Sequence, residues 1–211
     1  MPRRLWRTLQ LVFPLALALI LLVGCSSKKQ VSRVDAGETI DLSGNWNDTD
    51  SRLVAQEMIS DALSQGGQSR PWLVNFAKDK GKNPAIIVGS IRNLSDEHIS
   101  CGTFVGDIER SFVNSNSVRV VAKKVEREGV RDERQDQQAN ASPETVKQFG
   151  QELGADYMLI GEINKITDQE GNEKVAFYQV DLTLTYMQSN EKVWIGQKKI
   201  KKYIAHKTYK P

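Results

Sequence analysis

A cysteine stands close to the start of the chain, at the end of an apolar segment. Cys25 follows fourteen uncharged residues, Leu11–Gly24, and a positive start that contains Arg3, Arg4 and Arg7. The apolar segment is shorter than the roughly 18–20 residues that a helix needs to cross a bilayer. A basic start, a short apolar segment and a small residue before a break are together typical of a secretory signal peptide.

The residues that lead up to the cysteine indicate its chemistry. Leu22, Val23, Gly24 and Cys25 resemble the bacterial lipobox, in which the thiol is alkylated with diacylglycerol, the preceding peptide is removed and the new amino group is acylated. A cysteine suits this role because a thiolate is a far better nucleophile than an alcohol near neutral pH. We predict that residues 1–24 are a lipoprotein signal peptide and that Cys25 is lipidated. The alternative is a cleaved signal or an uncleaved anchor with an incidental cysteine.

The residue after the cysteine predicts the membrane that holds the protein. In Gram-negative lipoproteins an aspartate there usually means retention in the inner membrane, whereas this chain has Ser26. Several acyl chains on one residue, palmitate among them, anchor stably, whereas a single chain binds only marginally. We therefore predict an outer-membrane protein, anchored by its lipid and facing the periplasm.

Charge and cysteine count narrow the class of protein. The chain has 29 basic and 26 acidic residues, and removal of the signal peptide with its three arginines leaves 26 of each. A balanced charge argues against nucleic acid as a partner, because that partner needs a basic surface. With Cys25 lipidated, Cys101 is left without an intramolecular partner, and we predict a buried or half-buried thiol.

Hydrophobic patterns predict one compact α/β domain over residues 48–206, with a lipidated cysteine and flexible tether over residues 25–47 and a tail over residues 207–211. The predicted order is α-β-α-β-α-β-β-β in a mixed sheet, with helices near 48–65, 101–114 and 142–154 and strands near 85–91, 118–123, 156–163, 175–187 and 193–206. The segment 123–142 is predicted to be either a solvated helix or a mobile loop, because it has almost no apolar side chains.

Particular residues define these elements. Asp48, Thr49 or Asp50 is expected to cap the first helix, and Trp46 is expected to dock on the domain. The inward side chains of the three helices are predicted to be Leu53, Val54, Met58, Ala62 and Leu63, then Phe104, Val105, Ile108 and Phe112, then Val146, Phe149 and Leu153. Alternate residues from Ala176 to Tyr186 are expected to share one buried face of a strand. Residues 167–174 are predicted to form a turn.

Residue types that could support catalysis do not cluster in the sequence. His98 and His206 lie far apart and lack the spacing of metal ligands, and no nucleotide, zinc or nucleophile motif is present. Asp96 and Glu97 beside His98 could form an acid–base group, but polar loops are common between a strand and a helix. We therefore predict no catalytic residue, no cofactor and no metal, and a protein that is not an enzyme.

Lysines are concentrated in the last predicted strand. They could meet an acidic partner or a glycan, or they could form a solvated sheet edge that discourages pairing with other edges. The residues are Lys198, Lys199, Lys201 and Lys202.

The lipobox and five further segments of the chain together resemble the penicillin-binding protein activator LpoB family. In chain order the five segments read PAIIVGSIRNLSDEHIS, FVGDIERSFVNSNSVRVV, RDERQDQQANAS, FGQELGADYMLIGEI and YQVDLTLTYMQSNEKVWIGQKKIKK. The resemblance covers most of residues 46–205. One of its pieces, LGADYMLIG, also suits related lipoproteins of the curli-secretion CsgG type.

The resemblance implies an outer-membrane lipoprotein whose small α/β domain is similar to the amino-terminal domain of TolB. Such proteins bind a class A penicillin-binding protein, a peptidoglycan synthase, and stimulate its glycan polymerisation and cross-linking while catalysing nothing themselves. The alternative is a structural or secretion-apparatus lipoprotein of the CsgG type. Studied activators have a long proline-rich linker, whereas this tether is short and has no proline. A chain this short is expected to reach an inner-membrane synthase only if that partner protrudes. Docking is expected through the solvent-facing sheet edge or the segment near 124–140.

Overall fold

The structure is a computed structural model that describes residues 30–142, 144 and 152–205. The chain divides into two units, residues 1–38 and residues 39–211. In the described part of the first unit, the Glu38 N–H donates to the Asp35 carbonyl in a turn. The described helices and strands all belong to the second unit.

The first helix, α1, spans Asp48–Leu63 and begins with a capping box. The Asn47 side chain accepts from the Asp50 N–H, and the Asp50 carboxylate accepts from the Asn47 N–H, both at 3.0 Å. The prediction that Asp48, Thr49 or Asp50 is the cap was wrong, because Asp50 is the third helical residue and returns the hydrogen bond of the cap.

One side of α1 belongs to the core. Its buried apolar residues are Val54, Ala55, Met58, Ile59, Ala62 and Leu63. Leu53 was predicted to join them but is 50% exposed. Helical residues that are four or seven positions apart point in nearly the same direction, because each residue turns the helix by about 100°. Leu53 therefore shares the outer side of α1 with Glu57 and Ser60.

The structure adds a hairpin and a helix that the predicted order lacks. Strands β1 (Ser64–Gln65) and β2 (Gln68–Ser69) pair antiparallel, and α2 spans Pro71–Lys80. Proline is favoured at the first helical position because that residue has no intrahelical partner for an N–H. Trp72, Leu73 and Phe76 of α2 are buried in the core.

Five strands form a mixed sheet in the order β4-β3-β5-β6-β7. Their bounds are Ala85–Asn93 for β3, Arg119–Val120 for β4, Tyr157–Glu170 for β5, Glu173–Tyr186 for β6 and Glu191–Ala205 for β7. β3 pairs parallel with β4 and β5, whereas the pairs β5–β6 and β6–β7 are antiparallel. Helix α3, Cys101–Asn114, links β3 to its parallel neighbour β4. The mixed sheet with helices packed on it confirms the predicted fold class.

The last three strands are longer than predicted. β5 continues to Glu170 and β6 begins at Glu173, so the predicted turn over residues 167–174 contracts to two residues. Gly171 takes a φ of 56° in this turn, a conformation that glycine adopts without a steric penalty. The end of β5 is exposed on both faces, so the alternation of buried and exposed residues that marks a strand is missing there. By contrast, the predicted strand at 118–123 is limited to the two residues of β4.

The described helices that contact the sheet lie on one of its faces. On this face the side chains of β6 that are buried are Ala176, Tyr178, Val180, Leu182 and Leu184, as predicted, with Tyr186 partly buried. Phe104, Ile108 and Phe112 of α3 pack in the same core, and Val105 lies at its margin. The intervening residues of β5, β6 and β7 form the opposite face, where Ile160, Ile166, Ile195 and Tyr203 are exposed.

Helix α4 spans Lys124–Asn140 and has no buried residue. The solvated helix is therefore the correct one of the two alternatives for this segment. The predicted helix at 142–154 lies largely outside the described residues. Leu153, predicted to point inward, is exposed and non-helical. None of the helices that the structure describes has both the length and the apolar character needed to cross a bilayer.

Candidate binding surfaces

Trp46 fastens the segment before α1 to the domain. Its N–H donates to Glu97 Oε2 at 3.1 Å, and its indole Nε1–H donates to the Ser51 hydroxyl at 2.8 Å. Its ring makes edge contacts with Phe104 and Tyr178, with centroids 6.0 and 5.6 Å away. Such pairs contribute about 0.5–1.5 kcal/mol beyond the burial of their area. Trp46 therefore docks on the domain, as expected from the sequence.

Lys202 of β7 holds the residues just before Trp46. Its Nζ lies 2.8 Å from Asp41 Oδ1 and 2.7 Å from Asp50 Oδ2, and it donates to the Asn45 carbonyl. Burial lowers the pKa of Lys202, but the two carboxylates outweigh it and raise that pKa. Because these contacts fix residues 41–46 to the domain, we call residues 41–46 the clasp.

A buried ion pair lies beneath the clasp. The Lys165 side chain is 2% exposed, and its Nζ lies 2.9 Å from Glu97 Oε1 and 2.8 Å from Asp96 Oδ1. The Tyr178 hydroxyl also donates to Glu97 at 2.8 Å. Burial raises the pKa of Glu97, but Lys165, the Trp46 N–H and Tyr178 together bring that pKa below its usual value. Glu97 is thus an ionised acceptor that joins the clasp, β5 and β6.

These contacts show what Asp96 and Glu97, the pair considered above as an acid–base group, do in the structure. Both Asp96 and Glu97 are paired with Lys165, and Lys165 holds the pKa of Asp96 below its ordinary value. His98 is exposed, and His206 lies outside the described residues. The pair therefore has a structural role, which sequence spacing did not indicate because Lys165 is far away along the chain.

Helix α1 lies along β7 and pairs with its inward side chains. Lys198 Nζ lies 2.5 Å from Glu57 Oε2, and the Trp194 indole Nε1–H donates to Asp61 Oδ2 at 2.9 Å. Asp50, which binds Lys202, lies seven residues before Glu57, and Asp61 lies four residues after it. Residues at these spacings fall on one side of a helix. Two of the four lysines singled out in the sequence, Lys198 and Lys202, therefore stabilise the domain instead of meeting solvent or a partner.

The opposite face of the sheet, which we call the open face, carries exposed apolar side chains. Ile160 and Ile195 lie on either side of Thr183 in one cross-strand row, while Ile166 and Tyr203 lie toward the far end of the sheet. These four apolar side chains are between 42% and 66% exposed. Lys199 and Lys201 lie on this face, in the alternate positions of β7.

A polar band crosses the open face between its apolar ends. Glu162 accepts from Arg92 at 2.8 Å. Asp181 accepts from the side-chain amides of Gln179 at 2.7 Å and Gln197 at 2.9 Å. The two carboxylates of the band thus have partners within the face.

Helix α4 presents three arginines to one carboxylate. Arg127, Arg131 and Arg134 lie on one side of the helix, and Arg131 binds Glu152 through two hydrogen bonds of 2.8 and 2.7 Å. Arg131 holds the pKa of Glu152 below its usual range. Glu152 thus links α4 to the chain just before β5.

A groove of about 420 Å³ runs between α2 and the adjoining ends of β5, β6 and β7. Trp72 and Phe76 contact the ring of Tyr157 at 5.0 and 5.6 Å, and Tyr186 contacts it at 5.0 Å. Burial raises the pKa of Tyr157 to about 12. These rings close the core at this end of the domain.

The structure describes one of the two cysteines of the chain. Cys25, predicted to be lipidated, lies outside the described residues. Cys101 is a free, partly exposed thiol at the start of α3, and burial raises its pKa. Within the described ranges, no group of three or more His, Cys, Asp or Glu side chains could hold a metal ion.

The fold and these surfaces define a mixed α/β domain with one sheet face covered by helices and the other exposed. Residues 50–200 match the sequence family described as the peptidoglycan-synthase activator LpoB. This chain belongs to the LpoB family, and the resemblance noted in its sequence is confirmed. The family is one of regulators of a synthase. No curated protein matches the chain.

Solved structures similar to this chain include two LpoB proteins. The NMR structure of Escherichia coli LpoB is 14% identical with a TM-score of 0.40, and the match covers 88% of this chain and 85% of that one. The LpoB C-terminal domain from Salmonella enterica is 17% identical with a TM-score of 0.32, and the match covers 62% of this chain and 93% of that one. Lipoprotein GNA1162 from Neisseria meningitidis is 17% identical with a TM-score of 0.39, and the match covers 57% of this chain and 83% of that one. Family membership rests on the sequence match over residues 50–200.

Proposed function

We propose that this chain is an outer-membrane lipoprotein that faces the periplasm and binds and activates a class A penicillin-binding protein, thereby regulating peptidoglycan synthesis. The observation that carries the proposal is the match of residues 50–200 to the family of peptidoglycan-synthase activators. The protein acts by binding and catalyses nothing itself. Its first unit supplies the anchor, and its second unit meets the synthase.

The anchor in this proposal is the thiol of Cys25. The thiol carries diacylglycerol and the new amino group carries a further acyl chain, so several chains hold the protein in the membrane. Thirteen residues, 26–38, separate the anchor from the second unit. Their fully extended length is about 45 Å at roughly 3.4 Å per residue. The synthase must therefore reach within this distance, plus the length of the domain, of the outer membrane.

Activation by binding requires a preference between two states of the synthase. A ligand that binds the active and inactive conformations equally shifts no population, whatever its affinity. The domain must therefore make contacts with the active conformation that the inactive one does not offer. A rigid binding surface suits this task, because it loses little conformational entropy on association.

The binding part of the proposal is tested by capture from bacterial membrane extracts. The mature chain is immobilised, and captured proteins are labelled with a fluorescent penicillin, which marks penicillin-binding proteins covalently. We expect a labelled class A synthase that is absent from beads carrying an unrelated periplasmic domain. Absence of any labelled protein would remove the proposal. A closed ring of many copies, detected by mass measurement, would instead support the secretion-apparatus alternative.

The anchoring part is tested with the two cysteines as a matched pair. Cells that produce Cys25→Ser or Cys101→Ser are labelled with a palmitate analogue and fractionated. We expect Cys25→Ser to lose the label and to leave the outer-membrane fraction. Cys101→Ser keeps both the label and the location. A labelled Cys25→Ser protein would contradict the anchor.

A further inference from the structure

We propose that the open face is the docking surface of this protein, and that its partner presents an apolar surface flanked by carboxylates. The identity of that partner as a synthase rests on the proposed function. The surface itself is formed by side chains of β5, β6 and β7.

The first observation is the exposure of large apolar side chains on the face of the sheet opposite the core. Ile160, Ile166, Ile195 and Tyr203 are each between 42% and 66% exposed. They form two apolar groups, Ile160 with Ile195 and Ile166 with Tyr203, on either side of the polar band. Apolar groups that are rimmed by polar side chains mark surfaces that bind other proteins. The helices that bury the other face of the sheet leave these four side chains in contact with water.

The second observation is the division of the β7 lysines between the two faces. On the helix face, Lys198 is paired with Glu57, and Lys202 is paired with Asp41 and Asp50. On the open face, neither Lys199 nor Lys201 forms an ion pair with a described residue. Their cross-strand neighbours on β6 are the uncharged Gln179 and Phe177. The charges of these two lysines are therefore available to a partner.

The third observation is that the carboxylates of the polar band already have hydrogen-bond donors. Glu162 is bound by Arg92, and Asp181 is bound by Gln179 and Gln197. At the polar band a basic partner would have to compete with these donors, whereas an acidic partner would meet Lys199 and Lys201 without displacing any group. Complementary charges of this kind raise the association rate and select the partner.

A second copy of this chain fits the open face less well than a different protein does. A two-fold contact sets the same patch against itself. It would therefore bring two pairs of Lys199 and Lys201 into one interface, whereas an acidic partner brings carboxylates without further lysines. An acidic partner removes this repulsion.

The surface is tested by photo-cross-linking of the full, lipidated protein in living cells. Benzoylphenylalanine replaces Ile166 or Ile195 on the open face, and Leu53 or Val113 on the helix side as matched exposed controls. Adducts are separated by mass and labelled with a fluorescent penicillin. We expect penicillin-labelled adducts from the two open-face positions and none from the two controls.

Charge reversal supplies the second readout. Lys199→Glu with Lys201→Glu is expected to lower the yield of open-face adducts about tenfold, with a smaller loss for the pair of glutamine substitutions. Lys78→Glu with Lys82→Glu changes the net charge equally at exposed positions elsewhere and is expected to leave the yield unchanged. The three double variants are compared at equal amounts of folded, membrane-bound protein.

The outcomes separate the surface from the identity of the partner. Equal adducts from both sides, an adduct of two copies of this chain, no adduct at all, or a yield insensitive to charge reversal would each overturn the surface. Synthase adducts from Leu53 and Val113 alone would overturn the surface and leave the proposed function intact. Open-face adducts that depend on the lysines but contain no penicillin-binding protein would support the surface and remove the synthase.

Discussion

The Lys165 ammonium group lies 2.9 Å from the Glu97 carboxylate, with the lysine side chain 2% exposed. Glu97→Gln removes the charge but keeps an oxygen that accepts from Trp46 and Tyr178. We expect the free energy of unfolding to fall by about 2 kcal/mol, because the buried Lys165 charge loses its buried partner Glu97 and keeps only the exposed Asp96. Urea denaturation measures the change. Glu57→Gln, which breaks the more exposed pair with Lys198, should cost less than about 1 kcal/mol; equal losses would contradict the account.

The same pair predicts how stability depends on pH. The pKa of Glu97 is lower in the folded chain than its ordinary value of 4.5. Its contribution is therefore complete above pH 4.5 and is lost as the pH falls through the folded pKa. Urea midpoints measured from pH 6 downward should fall more steeply for the wild type than for Glu97→Gln. Parallel curves would show that Glu97 does not titrate with a lowered pKa.

The clasp is expected to stabilise the domain through Trp46. Trp46→Ala removes two hydrogen bonds and the ring contacts with Phe104 and Tyr178, so we expect a loss of about 2–4 kcal/mol in the free energy of unfolding. Leu42→Ala, in the same segment, removes a side chain that is 93% exposed and should change stability by less than about 0.5 kcal/mol. If Trp46→Ala unfolds at the wild-type urea concentration, the clasp is not part of the folded domain.

Replacement of a glycine by alanine is expected to have opposite effects on stability at Gly196 of β7 and at Gly106 of α3. A Cβ atom on Gly196 would lie 2.1 Å from the ring of Trp194, whereas one on Gly106 meets no atom within 4 Å. Gly196→Ala should lower the thermal midpoint, because overpacking costs about 1–3 kcal/mol. Gly106→Ala should raise it slightly, because alanine favours a helix by about 0.8–1.0 kcal/mol over glycine. A raised midpoint for Gly196→Ala would show that the Trp194 ring moves aside freely.

The sequence predicted those elements whose pattern reflects burial on one side. Alternation from Ala176 to Leu184 and helical spacing from Phe104 to Phe112 both have the helix-covered face of the sheet as their cause. The end of β5 was missed because it extends past the helices and is exposed on both faces. Helix α2 was missed although Trp72 and Phe76 are spaced one helical turn apart after Pro71, a signal that was present in the sequence.

The binding surfaces were less accessible to prediction than the fold. Lysines of the last strand were recognised as a group, and strand alternation alone divides them between two faces. Which face is paired depends on α1, which places Glu57 beside Lys198. Likewise, Glu97 and Lys165 are 68 residues apart, and only the approach of the β3–α3 loop to β5 makes them partners. Contacts of this kind follow from tertiary structure and leave no periodic trace in the sequence.

The rate of glycan polymerisation by a purified class A penicillin-binding protein, with lipid-linked disaccharide as substrate, tests the central claim most directly. The rate is measured with and without the mature chain, and with the double variant Lys199→Glu and Lys201→Glu. The account predicts a rate that rises several-fold and saturates with the wild-type chain, and a response shifted to about tenfold higher concentration with the variant. A rate unchanged at saturating concentrations of wild-type chain would contradict the claim that this protein activates the synthase.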